Sequence, residues 1–85
     1  MQVTVTQANG YVLAKTDGKI DESARDVFRE QLHPLVGQSG SKMVIDLSGS
    51  PRIDSRGVGC LVALVADANT SGSRVVFCNL QRSQR

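Results

Sequence analysis

The chain has 85 residues and a mass of 9.1 kDa, a size that suits one small domain over residues 1–85. Its composition, 40% hydrophobic and 21% charged, is that of a folded chain. The longest apolar stretch, residues 58–66, is far shorter than the roughly 20 residues that span a bilayer. The amino end also lacks the pattern of a secretory leader, so we expect a cytoplasmic protein without membrane contact.

The net charge of +2 is small, and the three aromatic residues, Tyr11, Phe28 and Phe77, do not lie in basic runs. Nucleic-acid binding is therefore not expected, because it usually combines clustered cations with stacking aromatics. Cys60 and Cys78 lie in apolar segments and are expected to be buried free thiols, with a disulfide as the alternative.

The first half of the chain predicts a hairpin followed by a helix. Apolar residues alternate with threonine over residues 3–6, a turn with Asn9-Gly10 follows, and residues 11–16 form a second strand. From Ser23 the apolar residues recur every three or four positions, which predicts an amphipathic helix that Pro34 ends or kinks near His33.

The second half alternates strands and helices. Residues 43–47 predict a buried strand, residues 58–68 a helix buried on more than one side, and residues 74–78 a last strand. Strand–helix–strand connections are right-handed crossovers that place their strands parallel. We therefore predict an α/β domain with a mixed sheet of four or five strands, whose amino-terminal strand is antiparallel and at or next to an edge.

The most informative segment is the turn that leads into the second helix. Asp54-Ser55 stands just before the helix, where either side chain can cap the free backbone N–H groups of the first turn. Gly57 and Gly59 remove side chains from that turn, so another surface can approach the backbone closely. Ser55 is thus expected to be exposed at a helix N-terminus, beside Asp54.

Several segments together resemble the STAS domain superfamily, and within it the bacterial anti-sigma factor antagonists. The resemblance covers residues 12–80 in order and rests on residues 18–21 (GKID), 44–48 (VIDLS), 53–59 (IDSRGVG) and 72–80 (GSRVVFCNL). It implies a small α/β domain that binds an anti-sigma serine kinase. It also implies that this kinase phosphorylates Ser55, with Asp21, Asp54, Arg56 and Gly57 at the partner-binding surface.

Two features depart from the family pattern. Arg56 stands where the motif usually has a second Ser or Thr, and its guanidinium could pair with a phosphate on Ser55 or alter kinase recognition. Family members also continue into another helix after the last strand, so we expect that this helix is missing or truncated here. An uncovered apolar sheet face would favour a homodimer.

Alternatives remain for each residue of the motif. Ser55 could be a plain helix cap, Asp54 a capping or loop residue, and Asp21 a cap for the first helix. The protein could then be a constitutive STAS interaction module or, less well supported, a small domain that binds an anion or nucleotide. His33 is the only histidine and has no motif around it, so neither catalytic nor metal-ligating residues, and no cofactor, are predicted.

Overall fold

The computed structural model describes residues 1–79, which form a four-stranded sheet and three helices. In chain order these elements are β1 (Gln2–Ala8), β2 (Tyr11–Asp17), α1 (Ala24–Gln31), α2 (His33–Val36), β3 (Lys42–Gly49), α3 (Ser55–Ser71) and β4 (Arg74–Cys78). The strands lie side by side in the order β1-β2-β3-β4.

The sheet is mixed, as predicted. β1 pairs antiparallel with β2 through a tight turn in which Ala8 lies opposite Tyr11, and Gly10 takes a positive φ of 79°. β2, β3 and β4 are parallel and are joined by helical crossovers. The α/β architecture and the edge position of the antiparallel amino-terminal strand are confirmed.

The helical region between β2 and β3 breaks near His33, as the position of Pro34 predicted, and continues as a second short helix. α1 ends at Gln31, and a separate short helix, α2, contains Pro34 in its first turn. Proline is tolerated there because the first-turn N–H groups have no partner within a helix. α3 begins at Ser55, three residues earlier than its apolar pattern indicated, and is followed by Gly72, which caps its C-terminus with a left-handed φ of 76°.

The core lies on one face of the sheet. Alternate residues of β3 point into it, and all three helices contribute apolar side chains to the same cluster. The fully buried members include Ile20, Phe28, Leu32, Val36, Met43, Ile45, Leu47 and Leu64. This cluster fixes the helices against the strands, and therefore fixes where each helix begins.

The opposite face of the sheet carries an apolar row across three strands. Leu13, Val44 and Val76 are register partners, and Val76 is 41% exposed. None of the three packs against the core. The predicted loss of a helix after the last strand concerns residues that include 80–85, which lie outside the described part of the chain.

Both cysteines are free thiols, as expected, but each is only half-buried. Within residues 1–79, none of the helices combines the length and the apolar character needed to cross a bilayer.

Candidate functional site

Two loops meet at the carboxyl ends of β2 and β3. The backbone N–H of Ile20 donates to the carbonyl of Arg52 at 3.0 Å, and the N–H of Asp54 donates to the carbonyl of Ile20 at 3.2 Å. Ile20 and Ile53 form an isolated parallel bridge. The loop of residues 18–23 and the loop of residues 50–54 are therefore held edge to edge, which brings the segments of Asp21 and Asp54 together.

Gly57 is buried where α3 passes the first of these loops. A Cβ atom at Gly57 would lie 2.0 Å from the carbonyl oxygen of Ile20, a distance that no real contact allows. The surface that approaches Gly57 is thus the chain's own loop. By contrast, a Cβ at Gly59 would meet nothing within 4 Å, so that position remains open.

Asp54 is the N-cap of α3. Its Oδ1 accepts a hydrogen bond from the backbone N–H of Gly57 at 2.8 Å, which satisfies one of the free donors of the first turn. Its Oδ2 lies 3.9 Å from Nζ of Lys19. Because Asp54 caps the helix, the interpretation of Ser55 as a plain N-cap does not apply.

Ser55 is the first residue of α3 and is exposed. Its hydroxyl makes no hydrogen bond to any group in residues 1–79, so no intramolecular contact must break before it reacts. The N-terminus of a long helix carries a partial positive charge that stabilises a nearby anion. A phosphate at Ser55 is therefore compatible with the fold.

Asp21 is held in a local turn. Its Oδ1 accepts hydrogen bonds from the Ser23 hydroxyl at 2.6 Å and from the Ser23 backbone N–H at 2.9 Å. These two hydrogen bonds, the side-chain one first, lower the pKa of Asp21 below its ordinary value. Asp21 therefore stays negatively charged at neutral pH, in front of α1.

Arg56 forms an ion pair with Glu22, so the residue that departs from the family pattern has a partner within the chain. Both side chains are largely exposed. The pair links the first turn of α3 to the loop before α1. Sequence analysis did not identify Glu22 or Lys19 as partners, although both stand in the GKIDE run next to Asp21.

The histidine lies away from this constellation. His33 Nδ1 is 2.7 Å from Asp67 Oδ2, a contact between α2 and the later part of α3. Asp67 is 12 residues after Ser55, about 18 Å along the helix. The structure thus places the imidazole with Asp67 rather than with the Ser55 hydroxyl. Within residues 1–79, no group of three His, Cys, Asp or Glu side chains could hold a metal ion.

Comparison with known proteins gives matches of two kinds. The model of a family described as "STAS domain" matches residues 2–85. Among solved structures, the anti-sigma factor antagonist SpoIIAA in its unphosphorylated form aligns with a TM-score of 0.74 at 16% identity, covering 94% of this chain and 74% of that one. A protein named Mglu aligns with a TM-score of 0.69 at 20% identity, covering 95% of this chain but only 20% of that one. At these identities the two structures support the fold alone.

Proposed function

This chain belongs to the STAS domain family, and we propose that it acts as an anti-sigma factor antagonist whose unmodified form binds an anti-sigma serine kinase. The observation that carries the proposal is the exposed Ser55 hydroxyl at the start of α3, free of intramolecular hydrogen bonds in the described residues. The similarity to the fold of an anti-sigma factor antagonist supports it. The protein is then a cytoplasmic bacterial regulator and not an enzyme.

Phosphorylation of Ser55 would release the kinase by changing charge at a fixed position. A phosphate adds about −1.5 to −2 charges beside Asp54 and next to the loop that carries Asp21. The fold tolerates the anion at a helix N-terminus, whereas a partner surface fitted to a neutral serine faces repulsion. A coupling of about 1–3 kcal/mol weakens binding roughly 5- to 150-fold, which suffices for a switch.

A second candidate is a constitutive STAS interaction module. The observation that favours it is Arg56, whose guanidinium stands beside the acceptor where the family pattern has a second hydroxyl residue. In this case Ser55 is not modified, and the loops of residues 18–23 and 50–54 serve only as a binding surface. A pocket for an anion or nucleotide at the helix start is the weaker third candidate.

The test uses the anti-sigma-type kinases encoded in the source genome, each purified and titrated with this protein by calorimetry. We expect one of them to bind the wild type with ADP and to release it after incubation with ATP. Ser55→Ala should bind equally well and not be released, and Ser39→Ala, in the exposed loop before β3, should behave as wild type. Binding of the wild type that persists after incubation with ATP would favour the constitutive module, whereas the absence of binding to every kinase would contradict the antagonist role.

The homodimer stays a prediction. The row of Leu13, Val44 and Val76 on the sheet face opposite the core is its basis. The wild type should then sediment as a dimer and Val76→Lys as a monomer, with the same circular dichroism spectrum. Gln31→Lys, exposed on α1 on the other side of the sheet, should leave the sedimentation coefficient unchanged. A wild type that is monomeric at all concentrations would contradict the prediction.

A further inference from the structure

A groove of about 350 Å³ runs between α1 and α3 and opens close to the first turn of α3. The lining residues come from all three helices: Arg25, Phe28, His33, Arg56, Gly59, Cys60 and Ala63. Phe28 belongs to the core, so the floor of the groove is the outer side of the packed helices. The proposed function does not require this groove.

The groove combines an apolar floor with cationic sides. On the α3 side, the groove is lined by Gly59, Cys60 and Ala63, whose side chains carry no polar group other than the Cys60 thiol. Arg25 and Arg56 add two permanent positive charges, and no carboxylate is among the described residues that line the groove. Arg56 is partly engaged by Glu22, whereas Arg25 makes no ion pair with residues 1–79. The chemistry that complements these walls is apolar in the middle and negatively charged at the edge.

An exposed apolar ridge borders the groove on α3. Val58 is 49% exposed and Val62 is 59% exposed, one helical turn apart. Ser55, Gly59, Val62 and Ala66 follow each other at spacings of four, three and four residues, which places them along one outer face of the helix. This face extends about 17 Å, or three turns. This face starts at Ser55 and continues along the ridge towards the C-terminal end of α3.

We infer that the groove and the ridge together bind an amphipathic helix of the partner, with aliphatic side chains against Gly59, Val62 and Ala63 and carboxylates towards Arg25 and Arg56. This inference rests on the proposed function, since it names how the partner is held. A helix is the occupant that fits, because the open Gly59 and the small Ala63 allow a second helix axis to come close. Because Arg25 and Arg56 bind carboxylates well, they favour an amphipathic helix whose polar face is acidic.

The acidic character of the partner helix also explains why phosphorylation of Ser55 would release the partner and not strengthen its binding. A phosphate on Ser55 stands at the end of the ridge and repels carboxylates docked beside it. It also competes with those carboxylates for the Arg56 guanidinium, which follows it in the same helical turn. Arg56 thus strengthens the effect of the phosphate on the partner.

The groove is tested directly with two synthetic helical peptides of about 18 residues, long enough to be helical in part. Both carry leucines on one face; one has glutamates on the flanks and the other has lysines. In two-dimensional NMR spectra of the isotopically labelled protein, the glutamate peptide should shift the amide signals of Gly59, Cys60 and Ala63 in a saturable manner. The lysine peptide should not shift them.

Charge-reversal variants complete the test. Arg25→Glu should weaken binding of the glutamate peptide by about tenfold or more, since a desolvated charge contact is reversed. Arg74→Glu, on β4 at the edge of the sheet, is the matched control and should bind as wild type; spectra of both variants verify folding. Equal shifts from both peptides, shifts confined to Leu13, Val44 and Val76, or an unchanged affinity of Arg25→Glu would overturn the inference.

The test of the groove can fail without the antagonist role failing, and the reverse is also true. A kinase that binds wild type and Arg25→Glu equally, and is released by ATP in both cases, would overturn the groove while leaving the antagonist role intact. If no kinase binds, the antagonist role fails, and the peptide shifts alone decide whether the groove accepts an acidic helix.

Discussion

The molecule contains two aspartate–serine pairs at helix starts, and they are used differently. Before α1, the Ser23 hydroxyl donates to Asp21, so serine and aspartate satisfy each other. At the start of α3, Asp54 instead accepts from the backbone N–H of Gly57, and the adjacent Ser55 hydroxyl has no partner among the described residues. The comparison shows that the same residue types build a closed turn in one place and leave a reactive group available in the other.

The largest loss of stability is expected from a substitution that forces the loop of Asp21 away from the start of α3. Gly57→Ala places a Cβ against the carbonyl of Ile20, on the loop that leads into Asp21, and must move one of the two segments. We expect a loss of about 3 kcal/mol in the free energy of unfolding, measured by urea denaturation. Gly59→Ala, two residues further on, should stabilise the protein by about 0.5–1 kcal/mol, because alanine is the better helix former. Equal effects of the two variants would contradict the close approach at Gly57.

The α3 pair should respond unequally to truncation. Asp54→Ala removes the N-cap and should cost about 1 kcal/mol of unfolding free energy, whereas Asp54→Asn keeps the cap and should cost less. Ser55→Ala removes no hydrogen bond and should change stability by less than about 0.5 kcal/mol. The same denaturation experiment checks all three. A larger loss for Ser55→Ala than for Asp54→Ala would show that the serine, not the aspartate, holds the helix start.

The Asp21–Ser23 hydrogen bond before α1 should be measurable through the pKa of Asp21. Its pKa is lowered chiefly by the Ser23 hydroxyl, so Ser23→Ala should raise that pKa towards the ordinary value of 3.8, as followed by carbon NMR of the carboxyl group. The pKa of Asp46, lowered chiefly by the side-chain amide of Asn79, should not change and serves as the internal control.

The sign of the linked stability follows from the same shift. A carboxyl whose pKa is lower in the folded state stabilises the protein above its unfolded pKa, and this contribution is lost as the pH falls through the folded value. The wild type should therefore lose stability as the pH drops below about 4, and Ser23→Ala should lose less over this interval. An identical pH dependence of the two proteins would contradict the Asp21–Ser23 hydrogen bond.

The smallest effect is expected for a negative charge at Ser55 itself. Ser55→Asp adds a carboxylate at the first position of α3, where the helix dipole favours it by about 0.3–1 kcal/mol while Asp54 and other nearby carboxylates oppose it. Stability should therefore stay within about 0.5 kcal/mol of wild type. A variant that unfolds would show that the site cannot carry a phosphate without disrupting the domain.

The sequence predicts local features of this molecule well and long-range contacts poorly. The β1–β2 hairpin follows from alternation and Asn9-Gly10, and the exposed Ser55 follows from an Asp-Ser start before a helix. The Arg56–Glu22 pair joins residues 34 apart, and it exists only because the loops meet at Ile20 and Ile53. No local pattern encodes that meeting. The start of α3, by contrast, follows from a local signal, because Asp54 is a capping residue directly before the helix.

The proposed switch depends on phosphorylation of Ser55. The most direct test is phosphopeptide mass spectrometry on the protein recovered from its native cells during growth and stress, with Ser55→Ala as control. We expect a phosphate on Ser55 that is absent from the control, while Ser23, whose hydroxyl donates to Asp21, remains unmodified. A Ser55 peptide that is unmodified under every condition would contradict it.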